Sequence, residues 1–254
     1  MIFGNETIST YSRSNMMIWF IMALQAGLLN VGGFLAANTF ISHVTGFATA
    51  ASVQIEMGNT FRFLGLVLIP VAFLFGAMIS GVLIDLRIKL KKKPKYYWVF
   101  GLMFFLSLLV TVGGFNDFFG EFGHTPESIN GYSLVVLLCF ICGIQNGAVS
   151  LVSKSVVRTT HLTGITTDLG IGLVRIINRK RISDINDEGK ANLMRSGIIL
   201  FFVIGSLAGV PVFQQFEFRG FLLPCLISGF LFFIMFVFQV VIPFFKSSKI
   251  LILK

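Results

Sequence analysis

Two stretches of the chain carry, in the same order, residues that could bind a solute or move a proton inside otherwise apolar sequence. Residues 27–49 read GLLNVGGFLAANTFISHVTGFAT, and residues 143–170 read GIQNGAVSLVSKSVVRTTHLTGITTDLG. In each, G-x-x-N precedes H-x-T-G-x-x-T, with Asn30 and His43 13 residues apart and Asn146 and His161 15 apart. Polar groups are costly in apolar segments and mark a functional site by default. Their recurrence roughly 120 residues later points to a duplicated half.

Each residue type suggests a particular chemistry. Thr45-Gly46 and Thr163-Gly164 stand where a short helix would begin, so that threonine caps the helix and glycine lets it pack closely. If the first amides stay uncapped, the same start becomes an anion site strengthened by the helix dipole. His43 and His161 occupy matched positions and serve either as proton carriers, a role that suits histidine as a residue type, or as packing groups. Thr167 repeats the threonine of the first copy. Asp168 either stabilises the first turns of its helix or couples a proton or cation; its counterpart is Ala50, so the halves differ chemically there. Asn30, Gln145 and Asn146 lie in long apolar runs and either bond neighbouring helices or line a polar path. Together Asn30, His43, Thr45, Gly46, Gln145, Asn146, His161, Thr163, Gly164, Thr167 and Asp168 frame an expected solute site near the midplane between two halves.

Enzyme chemistry is not expected. The chain has no H-E-x-x-H, no G-x-S-x-G and no paired acids within its apolar runs, and neither a metal nor a cofactor is implied. Cys139, Cys142 and Cys225 all lie in apolar runs, where cysteine serves as a small soft hydrophobe. The C-x-x-C of the first two lacks the accessible, electropositive setting that redox thiols need.

The elements that must position these residues follow from composition. Of the 254 residues 55% are hydrophobic and only 12% are charged, and the mean hydropathy is +0.87, which predicts an all-α polytopic membrane bundle. Spans of roughly 20 residues are needed to cross the hydrocarbon, and helices alone satisfy their own backbone there. Crossing segments are expected over residues 17–35, 61–86, 96–114, 133–152, 196–213 and 221–245. The first reads as a span rather than a removable signal, because its polar marks recur internally. The two H-x-T-G segments are too short to cross comfortably and read as broken or re-entrant helices.

The net charge of +9 is not a nucleic-acid signature, since the basic residues sit in short blocks between apolar runs. With six spans and both short segments returning on the face they entered, both termini are cytoplasmic. The outer loops then hold only Arg62 and Arg219 of the 20 basic residues, as the positive-inside rule requires. A seven-span arrangement, in which the first short segment crosses, is the alternative. Three spans per half make residues 1–126 and 127–254 inverted repeats within one membrane domain, a recurring transporter design. Ala77-x-x-x-Gly81 matches Gly205-x-x-x-Gly209 as small-residue contact faces.

The motifs QNGAVS and VRTTHLTGITTDLG, with the earlier SHVTG, resemble the YoaK family of bacterial inner-membrane proteins, a domain of unknown function. The family often carries an acid near Asn30 and an asparagine after the first T-G, where this chain has Phe47. The resemblance implies a multi-span protein of the bacterial inner membrane and brings no activity. The expected function is a small secondary transporter or permease; a channel is the near alternative, and a non-transporting module that binds a protein or lipid is the other. Expected partners are membrane lipids, a small-molecule substrate and, as an option, further copies of the chain, with no nucleic acid.

Overall fold

The computed structural model describes residues 13–152, 162–182 and 187–244, and all regular structure among them is helical. Helix α1 spans Arg13–Ala37 and α2 Val44–Glu56. Helix α3, Thr60–Ser80, passes through a π turn, Gly81–Asp85, into the short α4, Leu86–Lys89. Then come α5, Tyr96–Phe115, α6, Ile129–Val152, and α7, Leu162–Ile177. Helix α8, Glu188–Phe216, meets a 3-10 turn, Glu217–Phe221, that leads into α9, Leu222–Phe236.

Among the described residues five helical runs are long and apolar enough to cross a membrane, the last being Glu188–Phe244. That run is two segments, because Glu217 at φ 49° breaks the helix and Phe213 packs edge-on against Phe221 across the turn, 4.9 Å between ring centroids. The described residues therefore hold six crossing-length segments, as composition predicts. The 13 residues of α2 and 16 of α7 fall short of the roughly 20 a crossing needs.

Helix senses follow from the contacts. Helix α1 runs parallel to α8: Gly197 lies on Phe20, Gly205 on the Leu24 carbonyl, and Gly32 on Phe213. Helix α3 runs parallel to α6, with Gly65 on Tyr132, Gly76 on the Phe140 carbonyl and Gly147 on Ala77. Helix α9 runs antiparallel to α5, since Phe218 meets Gly114 at one end and Gln239 meets Tyr97 at the other. Helices α1 and α6 are also antiparallel, Gln145 reaching Met22 and Leu138 lying near Gly33. Six alternating crossings satisfy all four relations. Seven spans would make α1 and α6 run the same way, so that alternative is overturned.

The two parallel crossings are built alike. A Cβ on Gly27 would overlap the Phe202 carbonyl, and one on Gly205 the Leu24 carbonyl. Likewise a Cβ on Gly143 would overlap the Phe73 carbonyl, and one on Gly76 that of Phe140. Each pair of helices thus meets backbone to backbone, which only glycine permits. The small-residue match expected from sequence is corrected by one position: Gly76 is the counterpart of Gly205, while Gly81 has open space around it. Spacing alone cannot fix which of several small residues faces a neighbour.

Helix α2 starts on the bundle surface, below the end of α1, and Ile41 and Ser42 leading to it are buried. The Ser42 hydroxyl donates to Asn30 Oδ1 at 2.9 Å, and Asn30 lies seven residues, about 10 Å, before the end of α1. Ile41 is fully buried, and its carbonyl accepts from Cys139 Sγ at 2.8 Å. Residues 38–43 therefore descend beside α1. Helix α2 climbs back along α3, which begins after a tight turn where Asn59 Oδ1 caps the Arg62 amide at 3.1 Å. This is the re-entrant path expected of the first short segment. Helix α7 packs on α8 in the matching way, and residues 153–161 before it lie outside the described part.

Candidate functional site

The polar residues singled out by sequence fall into three settings. Gln145 is fully buried, and its Nε2 donates to the Met22 carbonyl at 2.7 Å, joining α6 to α1. Asn146, one residue on, is half-buried, and its Oδ1 is enclosed without a partner among the described residues. Asn30 is half-buried and bonded to Ser42. Met22 and Asn30 are eight residues apart on α1, so the Gln145-Asn146 level and the Asn30 level differ by about 12 Å in depth. The described residues bring Asn30 to the start of α2 but do not bring Asn30 and Asn146 to one place.

The helix starts are peripheral. His43 occupies the cap position of α2, its side chain makes no capping bond, and its ring stacks on Phe40 at 5.1 Å. Because α2 begins at Val44, Thr45 is already inside the first turn, where its hydroxyl cannot cap the amides ahead of it. Thr163 is likewise within the described part of α7. The threonine-cap expectation is therefore corrected for Thr45, and the residues before α7 lie outside the described part. His43, Thr45 and Gly46 are exposed, and a Cβ on Gly46 would meet only His43 Cβ at an ordinary 3.6 Å. Close packing is thus not what Gly46 provides. In α7, Gly164 is half-buried, Thr163, Thr167 and Asp168 are exposed, and Thr167 Oγ1 donates to the Thr163 carbonyl at 3.0 Å. Asp168 makes no ion pair among the described residues. His161 lies outside them.

Three arrangements were not read from sequence. The first is at the bundle centre, where fully buried Gln25 donates from Nε2 to Ser228 Oγ on α9 at 2.5 Å and its Oε1 is enclosed without a partner among the described residues. A glutamine in an apolar run is itself a signal, but Ser228 gives none.

The second clamps α7 to α8. Glu188 accepts from Arg175 Nη1 at 3.1 Å and from Arg195 Nη1 at 2.7 Å, and Arg195 Nη1 also donates to Asn192 Oδ1 at 2.6 Å. The Glu188 and Arg195 side chains are only 14% and 11% exposed. The α7 backbone at Gly172 rests directly on this cluster, where a Cβ would overlap Asn192 Oδ1. In the first half, α2 and α3 are joined by a turn of three residues instead, Met57 to Asn59.

The third is a cavity of about 560 Å3 at the opposite end, between the end of α1, the start of α3 and the α5–α6 connection. Arg62, Glu121, His124 and Glu127 line it together with Phe119, Leu134 and Phe218. Its residues come from segments far apart in sequence, so no local motif announces it.

Comparison with known proteins yields one relation. No curated protein and no solved structure matches the chain. A family model described as a protein of unknown function, DUF1275, matches residues 18–235, from the first turns of α1 to the end of α9. This apolar helical bundle, with its two short helices and its glycine crossings, belongs to the DUF1275 family.

Proposed function

We propose that this protein is a small secondary transporter of the YoaK type in the bacterial inner membrane, with both termini cytoplasmic and with residues 1–126 and 127–254 as inverted repeats. Support for the repeat comes from reciprocal packing. The first helix of each half lies parallel to the third helix of the other, and the four glycines Gly27, Gly205, Gly143 and Gly76 stand at equivalent contacts. Each short helix packs on the long helix after it, α2 on α3 and α7 on α8. Such pairs can move as rigid units against each other, the motion alternating access needs.

The observation that carries the transport reading is the polar cavity at one end, lined from both halves, above a centre closed by buried Gln25, Gln145 and Ser228. A bundle open at one mouth and closed below it fits one state of an alternating cycle. The second reading, a module that carries nothing, draws on the same buried amides, because Gln25 and Gln145 both donate across helix interfaces and so serve as glue.

Uptake by proteoliposomes under an imposed pH gradient separates these readings, using a panel of amino acids, small carboxylates and amines. A transporter gives saturable uptake of one class, a channel gives flux that does not saturate, and the module gives neither. In the same assay Asp168→Asn is expected to leave the fold intact at a cost of about 1 kcal/mol or less while abolishing uptake driven by the gradient. Unchanged uptake would remove Asp168 from the mechanism.

A further inference from the structure

The cavity beside the α5–α6 connection has the size of a small-molecule site, with a mostly polar lining and the apolar side chains of Phe119, Leu134 and Phe218 at its floor. Phe119, Phe218 and Leu134 are buried beneath it, with the two rings 6.0 Å apart. One wall is preformed: the Gly123 amide donates to the Ala36 carbonyl at 3.0 Å, and Asn38 Nδ2 donates to the Gly123 carbonyl at 2.7 Å. Gly123 sits at φ 86°, where a side chain would be strained. On the rim Arg62 Nη2 donates to Glu127 Oε1 at 2.6 Å, and His124 stands 3.6 Å from Glu121.

We infer that this cavity binds a small organic zwitterion with an apolar body, of the α-amino-acid class, its carboxylate on Arg62 and its ammonium on Glu127. The inference rests on the transport reading and names the substrate class for it. A plain carboxylate would take Arg62 and leave Glu127 unpaired beside it. A plain amine would take Glu127 and leave Arg62 without a partner. A zwitterion instead replaces one ion pair by two. The exchange is cheap, because Glu127 is exposed and such surface pairs contribute little. The guanidinium fork fits a carboxylate in two-point contact. The buried rings below favour an aliphatic or aromatic side chain over a polar one.

The test is thermal unfolding of the full-length protein in detergent with L-leucine, L-phenylalanine, glycine, isovalerate and isoamylamine. Leucine and phenylalanine are expected to raise the unfolding temperature in a saturable way, and the other three to bind far more weakly. Arg62→Gln and Glu127→Gln should each weaken leucine binding roughly tenfold or more, while Lys180→Gln at the opposite end leaves it unchanged. Unfolding of each variant without ligand reports its fold, and Arg62→Lys, which keeps the charge but loses the fork, should bind between wild type and Arg62→Gln. The inference is overturned if neither amino acid shifts the wild type, if isovalerate or isoamylamine binds as well as leucine, or if both glutamine variants bind leucine as the wild type does. Binding of leucine without its uptake by proteoliposomes would overturn the transport reading and leave the site standing. Saturable uptake of some other solute, with no binding of these zwitterions, would overturn the site alone.

Discussion

Gly27→Leu should prevent the bundle from assembling, and Gly143→Leu should do the same in the other half. Both glycines meet the backbone of a parallel partner, Gly27 on α8 and Gly143 on α3. The clash is with main-chain carbonyls rather than flexible side-chain ends, so it is relieved only by separating two long helices. The expected loss is about 3–5 kcal/mol, at the top of the range for single substitutions. Gly46→Leu is the internal control. The nearest atom to its added Cβ is 3.6 Å away, and the change should stay within about 0.5 kcal/mol. Size-exclusion profiles and thermal unfolding in detergent read both effects, and a monodisperse, equally stable Gly27→Leu protein would show that α1 and α8 do not meet as described.

The clamp between α7 and α8 should give the second large effect. Glu188→Gln leaves Arg195 nine-tenths buried with its compensating charge gone, a loss of about 3 kcal/mol or more. Gly172→Ala reaches the same end without altering any charge, because its methyl group would occupy the space of Asn192 Oδ1 and crowd Glu188 Oε1. Both variants should speed amide hydrogen exchange in α7 while leaving α2 as in the wild type, since α2 is held by its tight turn into α3 and by Ile41 and Ser42. Equal acceleration in both short helices would mean general destabilisation, and no acceleration in α7 would mean the cluster does not hold it.

What could be read from the sequence was whatever depends on hydropathy and length. The six crossing segments, the two short helices and the re-entrant path of the first rest on the roughly 20 residues a span requires, and that limit acts on each segment alone. Which helix lies on which was hidden, because every face of these segments is apolar and lipid is as acceptable a neighbour as another helix. The register of the small residues failed for that reason, Gly76 and not Gly81 facing α6. The cap of α2 failed by two residues, His43 rather than Thr45 preceding the first turn, since the H-x-T-G pattern does not say which of the two stands there. Of the candidate site, Gln145 and Asn30 were legible as polar marks, and their partners, the Met22 carbonyl and Ser42, became visible only in three dimensions. No spacing in the sequence marks Arg175, Glu188 and Arg195 as partners, yet they meet under Gly172 with Glu188 and Arg195 nearly buried.

The central claim, that two halves of opposite orientation enclose the solute path, is tested most directly by single cysteines at positions 92, 121 and 180. The native Cys139, Cys142 and Cys225 are buried, so a membrane-impermeant thiol reagent reports only the new residue. In intact cells Glu121→Cys should react from outside, while Lys92→Cys and Lys180→Cys should react only after the membrane is opened. Lys92 and Lys180 on opposite sides of the membrane would contradict the inverted arrangement, and the transport cycle built on it would fall with it.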